Sequence, residues 1–308
     1  MIKDLDKLVK GKIFYNEPMQ KHTSYGIGGP AEVFVNPADS EDLRNIIGYS
    51  KINSIPICYI GSGSNLLVSD KGIKGIVISP KKSFKKLDFN GNKINAESGV
   101  MLGSLVKKST SRNLTGLESL VGVPGTLGGA LVMNAGAFGS EISNFLKKVS
   151  LITSNGDIIN RNANQINFAY RHSNFSQKEF ILSATFELKT ELPEIINQKK
   201  QAASKGRKTN QPLKYRSAGS IFKNPDSEFA AGYLIEKVGL KGHRVGNAQI
   251  SDHHANFFIN HGNAKAEDVI ELIKIAKEKV LNQFNINLEL EVKLIGFSHM
   301  EYFKNEKN

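Results

Sequence analysis

The chain has one cysteine, Cys58, in 308 residues. A single thiol excludes an intrachain disulfide and any cysteine-built metal site. It lies in the apolar run Ile55-Pro56-Ile57-Cys58-Tyr59-Ile60, where a cysteine reads as a small buried hydrophobe. Long hydrophobic runs are missing as well. No stretch approaches the ~20 apolar residues needed to cross a bilayer. The opening MIKDLDKLVKGK has no apolar centre of signal-peptide length. A soluble, cytoplasmic protein with no membrane partner is expected. Metal-ligand spacing is absent too: His253, His254 and His261 lack acidic partners at suitable intervals, so no metal is expected. There is no internal repeat and no low-complexity tract.

Acidic residues are outnumbered, 29 to 41, giving a formal charge of +12. That balance favours anionic partners: nucleic acid, acidic membranes or polyphosphate ligands. The basic residues are scattered, with Lys81, Lys82, Lys85 and Lys86, then Lys199 and Lys200, then Lys205, Arg207 and Lys208. Few aromatics are interleaved, so a base-stacking platform is not indicated and no nucleic acid is expected. Most of these side chains read as solvated faces.

Glycine is plentiful where it matters. Residues 121–139, VGVPGTLGGALVMNAGAFG, hold Gly122, Gly125, Gly128, Gly129, Gly136 and Gly139 together with Pro124, Thr126 and Asn134. With side chains nearly absent, backbone N–H groups can approach a ligand, and positive φ lets them converge on an anion. A second such stretch, Gly61-Ser62-Gly63-Ser64-Asn65, closes the run PICYI. Two such loops suit a dinucleotide, one part lying on each; the alternative is a pair of tight turns under close strand packing. Gly26-Ile27-Gly28-Gly29-Pro30-Ala31 has the form G-x-G-x-x-A but is not a Rossmann turn. Pro30 stands where a helix should begin, no clear strand precedes it, and AEVFV after it reads as a strand.

The length suggests two domains, or three. Residues 1–20 read as a lead-in with a short helix and an extended segment. Ser40-Glu41-Asp42 caps a helix running to about Lys51. Short strands follow in 55–60 and 66–79. Hairpins turn at Asn90-Gly91 and Asn155-Gly156. Helices are expected over 100–112, 192–208, 230–239 and 266–284, and strands over 180–188, 255–260 and 286–297. The expected architecture is α+β. Its domains are 21–190, in two subdomains of about 21–80 and 81–190, and 191–308.

Three residues invite chemistry. Arg171, beside Tyr170 in a short loop, either grips a carboxylate or phosphate with its planar fork or is a surface arginine in a hairpin. Ser220, among small residues in SAGSIFKNP, either meets a ligand or makes a cap or turn. Glu291 shares a strand face with Glu289, opposite Leu288, Leu290 and Val292. A carboxylate there would ordinarily face solvent.

Eight segments in order, HTSYGIGGPA, GSGSNLLV, VPGTLGGALVMNAGAFG, YRHSNF, SAGSIFKNP, AGYLIEKVGLKG, ISDHHANFFIN and LEVKLIG, resemble the bacterial UDP-N-acetylenolpyruvoylglucosamine reductases. The likeness covers about 20–297. Any one segment is weak; the ordered set is specific. The first half also resembles the FAD-binding domains of the vanillyl-alcohol-oxidase type. The resemblance implies such an FAD-binding domain followed by a smaller α+β substrate-binding domain. It implies non-covalent FAD, NADPH as co-substrate, and reduction of UDP-N-acetylglucosamine enolpyruvate to UDP-N-acetylmuramate for peptidoglycan. It implies that Arg171 holds and polarises the substrate carboxylate, Ser220 donates the proton and Glu291 helps stabilise the enolate. Cofactor contacts are expected from Tyr25, Gly61, Ser62, Gly63, Ser64, Asn65, Gly122, Pro124, Gly125, Thr126, Gly128, Gly129, Asn134 and Gly136. Substrate contacts are expected from Tyr170, Lys223 and Asn224, in a monomer. The short segment 190–216 lacks an inserted tyrosine-bearing loop, which points to the shorter subgroup. Leu290 stands where a proline is frequent and Lys293 where an arginine is frequent. Two other readings are a flavin oxidase of the same wider fold and a basic nucleic-acid-binding protein. Rapid air oxidation of reduced protein would mark the first; a colourless, salt-sensitive DNA binder would mark the second.

Overall fold

The computed structural model describes residues 4–226 and 228–297. These divide into two compact units. The first comprises residues 4–15, 33–62 and 75–207; the second comprises 16–32, 63–74 and 208–297.

In the first unit, helix α1, Ser40–Asn53, lays Leu43, Ile46 and Ile47 against Val33, Val35, Ile76 and Ile78. The i, i+3, i+4 spacing of those apolar residues makes one buried stripe. Its N-cap is Asp39 rather than Ser40, because the Asp39 carboxylate reaches the N–H groups of Glu41 and Asp42 at 2.9 and 3.0 Å. Asp42 is fully buried and accepts from the backbone N–H groups of Lys10, Gly11 and Ala38. Strand Ile57–Tyr59 runs parallel to Ile76–Ile78.

A five-stranded antiparallel sheet forms the rest of this unit. Its order is Ile158–Asn162, Leu146–Ile152, Phe180–Glu187, Lys93–Glu97 and Leu87–Asn90. Both Asn-Gly hairpins lie in it. Helix α2, Leu102–Thr110, and helix α3, Leu127–Val132, contribute Leu102, Leu105, Val106, Leu127 and Leu131 to its core. The principal glycine stretch therefore contains a short helix, because Leu127, Ala130 and Leu131 have an apolar core to bury against. Helix α4, Pro193–Asn210, continues in this unit as far as Arg207.

The second unit is built on helix α5, Ala231–Lys237, and helix α6, Ala266–Phe284. In α6, Ala266, Val269, Ile270, Ile273, Ala276 and Val280 form the buried stripe. Asp268 accepts the Lys265 N–H at 3.0 Å, and Asn285 at φ 54° ends the helix in the left-handed region. A three-stranded sheet, Arg244–Val245, Ala248–Ile250 and Phe258–Asn260, shares this core. A separate parallel pair joins Leu66–Val68 to Lys293–Ile295.

The expected strand over 286–297 is regular only at Lys293–Ile295. Upstream, the Ile221 carbonyl accepts both the Glu291 and Val292 N–H groups, at 2.8 and 3.3 Å. Two residues on one acceptor break the ladder as a β-bulge does. The alternation survives: Leu288 and Val292 are buried while Glu289 is exposed. Among the described residues no helix is long and apolar enough to cross a membrane, and no group of three or more His, Cys, Asp or Glu could hold a metal ion.

Candidate active site

In the first unit Gly61 meets the principal glycine stretch. A Cβ on Gly61 would stand 2.4 Å from the Thr126 hydroxyl, so any side chain there would collide with it. Thr126 is the N-cap of α3, yet its hydroxyl makes no capping bond. The side-chain oxygens of Thr126, Ser62, Ser98 and Ser119 are all buried without a hydrogen-bond partner. An orphaned buried hydroxyl is costly, typically about 1–3 kcal/mol. Gly129 faces outward, with only the Thr126 hydroxyl within 4 Å of its Cβ position, at 3.7 Å. The bare backbone of Gly61 and Gly129 beside the orphaned Thr126 hydroxyl is a cradle that a phosphate-bearing ligand fits.

The other glycines divide. A Cβ on Gly128 would press on Ser98 Cβ at 3.1 Å, and one on Gly136 would meet Glu141 Cγ and the Ser140 carbonyl at 2.9 Å. A Cβ on Gly122, at φ 73°, would stand 3.1 Å from Arg207 Cδ. Gly125, at φ 141°, gives its carbonyl to the Leu102 N–H, and Pro124 lies exposed just before it. Close protein packing already accounts for glycine at 128 and 136.

Arg171 sits at the tip of the hairpin Phe168–Ala169/His172–Ser173. Its φ of 52° is left-handed, and its guanidinium carbon lies 4.9 Å from the Tyr170 ring centroid. A non-glycine residue held in that region costs about 1–2 kcal/mol, so the surroundings must enforce it. Two side chains do. The Asn134 amide donates to the Ala169 carbonyl at 3.1 Å and to Glu141 Oε2 at 2.6 Å. The Ser173 hydroxyl donates to the Val132 carbonyl at 2.7 Å. Asn134 is fully buried, at φ 42°. Sequence reasoning passed over Arg207, which burial and the nearby Arg171 charge hold below the usual arginine value. It was hidden in the basic run Lys205–Lys208, where nothing separates a solvated lysine from a half-buried arginine.

In the second unit Ser220 and Glu291 are brought to neighbouring segments. Ser220 is half-buried, lies at no helix end, and bridges Phe257 in antiparallel fashion. Phe222 is held on that side by Asn256, whose side chain accepts the Phe222 N–H at 2.9 Å and donates to its carbonyl at 2.8 Å. On the other side Phe222 bridges Leu290. The Lys223 N–H donates to the Glu289 carbonyl at 2.9 Å and the Glu291 N–H to Ile221 at 2.8 Å. Serine and glutamate are thus fixed through one shared backbone segment.

The remaining expected site residues also have defined places in this unit. Tyr25 is fully buried in the core, its hydroxyl without a partner. Gly63, at φ 70°, would put a Cβ 2.0 Å from the His22 carbonyl. Ser64 and Asn65 lead into the strand Leu66–Val68, and Asn65 donates from its side chain to the Glu291 carbonyl at 3.0 Å. Lys223 pairs with Glu289 at 3.3 Å, and Asn224 accepts the Ala231 N–H at the start of α5. His254 is held below its ordinary value, first by burial and then by His253 and Lys241.

Residues 211–295 match the family described as UDP-N-acetylenolpyruvoylglucosamine reductase, C-terminal domain, and residues 31–162 match the FAD binding domain family. The chain is 42% identical over 290 residues to a UDP-N-acetylenolpyruvoylglucosamine reductase of Caldanaerobacter subterraneus subsp. tengcongensis, covering 94% of this chain and 95% of that one. It is 42% identical over 293 residues to the reductase of that name from Clostridioides difficile, covering 95% and 96%. The solved UDP-N-acetylenolpyruvylglucosamine reductase from Thermus caldophilus superposes with a TM-score of 0.80 at 33% identity, over 93% of this chain and 99% of that one.

Proposed function

This chain belongs to the UDP-N-acetylenolpyruvoylglucosamine reductase family, and from that premise we propose that it reduces UDP-N-acetylglucosamine enolpyruvate to UDP-N-acetylmuramate at the expense of NADPH. It is an oxidoreductase with an FAD-binding domain. We read the first unit, 4–15, 33–62 and 75–207, as carrying the flavin, non-covalently, and the second, 16–32, 63–74 and 208–297, as carrying the substrate, in a cytoplasmic monomer. The Gly61–Thr126 cradle and its orphaned hydroxyl fit FAD.

When bound, FAD supplies the hydride that reaches the terminal carbon of the enol ether. The protein must then do two things: meet the negative charge developing beside the carboxylate, and protonate the carbon next to it. Arg171 is the residue for the first task, its fork presented by a braced hairpin. Arg207 adds a second guanidinium to the same end of the unit. Two like charges, one desolvated, are relieved by an anion, and the substrate carries a carboxylate and a diphosphate. Ser220 Oγ is the proton donor, and Glu291 helps hold the enolate. The single observation that carries the reading is the 2.8 Å bond from the Glu291 N–H to the Ile221 carbonyl, which ties Glu291 to the residue that follows Ser220.

The test is optical. Purified protein should be yellow, bleach with NADPH, and regain colour when the enolpyruvyl substrate is added without air. A colourless protein, or one whose reduced form reoxidises only in air, would overturn the proposal.

A further inference from the structure

Asn65 lies in the Gly-Ser-Gly-Ser-Asn loop, whose composition points to a cofactor, yet its bonds run to the strand that carries Glu291. The Asn65 amide nitrogen donates to the Glu291 carbonyl at 3.0 Å. The Asn65 carbonyl accepts the Lys293 N–H, also at 3.0 Å. The amide cannot be turned the other way, because a peptide carbonyl only accepts. The parallel ladder between Leu66–Val68 and Lys293–Ile295 starts at the pair Leu66–Lys293. One step earlier, a continued ladder would present a backbone N–H to Glu291. The Asn65 side chain takes that place.

Glu291 needs this extra bond because its other flank is irregular. There the Ile221 carbonyl is shared between the Glu291 and Val292 N–H groups. A bulge disrupts the ladder locally, so the backbone of the bulged residue, and the direction its Cα–Cβ bond takes, depends on the bonds that remain. Asn65 grips the carbonyl of that residue and the N–H two residues on, so the peptide carrying Glu291 is clamped from both sides.

We propose that Asn65 is a positioning residue: it fixes the Glu291 peptide, and through it the carboxylate, rather than holding the cofactor. This rests on the reading of Glu291 as part of the reaction. Asparagine suits the task better than its neighbours in size. Aspartate would set a carboxylate against a carbonyl oxygen, and alanine would remove the Asn65 donor from the Glu291 carbonyl.

The test uses the full-length, FAD-loaded protein with Asn65→Ala, Asn65→Asp, Glu291→Gln and the Asn65→Ala/Glu291→Gln pair. Bound FAD per chain, reduction by NADPH and reoxidation by the enolpyruvyl substrate are measured separately. The inference expects full FAD occupancy and near-normal reduction in Asn65→Ala. It expects reoxidation slower by about 10- to 100-fold, the scale of a displacement of about an ångström in a reacting group. It expects little further slowing when Asn65→Ala is added to Glu291→Gln, since the first acts through the second. Hydrogen exchange should rise in 286–295 and stay unchanged in α5. Loss of FAD, equal slowing of both half-reactions, slowings that multiply in the pair, or unchanged exchange would overturn it. If Glu291→Gln alone reoxidises at the normal rate, the role given to Glu291 fails first, and the double variant is not needed to show it. Asn65→Asp repeats the comparison at almost unchanged volume where the alanine variant does not fold. Failure of both to fold would make Asn65 structural and end the proposal.

Discussion

Gly129→Ala separates ligand binding from folding more cleanly than any other change in the glycine stretch. Gly129 lies in α3, faces outward, and has only the Thr126 hydroxyl near its Cβ position, at 3.7 Å, which is an ordinary contact. A methyl group there strains nothing in the protein. Glycine in a helix is less favourable than alanine by about 0.5–1 kcal/mol, so the substitution should stabilise the apoprotein and raise Tm by about 1–3 °C. If the bare backbone is instead kept for FAD, the same methyl intrudes on the cofactor. Overpacking of a fitted contact costs about 1–3 kcal/mol, which is about 5- to 150-fold in Kd. The two effects have opposite signs, so a general loss of structure cannot imitate them. Differential scanning fluorimetry of apoprotein and quenching of FAD fluorescence on titration read them separately. Gly63→Ala is the contrast: its Cβ would fall 2.0 Å from the His22 carbonyl at φ 70°, and it should simply unfold the protein. A Gly129→Ala protein with raised Tm and unaltered Kd for FAD would refute the placement of the cofactor on this helix.

Three further outcomes are expected. Asn134→Ala removes the donor to Ala169 and leaves alanine at φ 42°; urea unfolding should show a loss of about 2–4 kcal/mol, and bound FAD should be retained. Arg207→Gln should raise KM for the enolpyruvyl substrate while NADPH reduction of the flavin stays near normal, and an unchanged KM would remove Arg207 from the anion site. His254 is depressed from 6.5 by burial, and its Nδ1 accepts the Asn256 N–H at 3.2 Å, which only the neutral ring can do. Because the unfolded chain protonates this group first, its contribution is complete above about 6.5 and is lost as pH falls through 6.5 toward the lower folded value. His254→Asn should flatten that part of the stability–pH curve measured by urea unfolding, and an unaltered slope would count against the burial argument.

Much of this was legible from local pattern. The α6 stripe and both Asn-Gly hairpins stand where the sequence puts them, because each is decided within a few residues. Errors came where a competing local choice was close. Asp39 outcompeted Ser40 as the cap of α1 because its carboxylate reaches two N–H groups. The apolar residues 127–132 became helical despite two glycines because a core was waiting for them. Long-range pairing was the least visible. The sequence marks a boundary near 190, but the first unit runs on to Arg207, and 16–32 and 63–74 belong with the C-terminal unit. No local signal announces that Leu66–Val68 will lie against Lys293–Ile295. For the same reason Asn65 reads as a loop residue, and Asn256 not at all, although both brace the segments bearing Ser220 and Glu291.

The central claim is that the protein itself, through the Ser220 hydroxyl, supplies the proton that completes reduction of the enolpyruvyl double bond. Ser220→Ala removes only that oxygen from an extended, backbone-held segment, so fold and FAD content should survive. Stopped-flow absorbance then follows bleaching by NADPH and recovery with substrate in the same preparation. The account predicts bleaching at the normal rate and recovery slowed by about 10²–10⁴-fold, the range for a positioned proton donor. Recovery at the normal rate would contradict it.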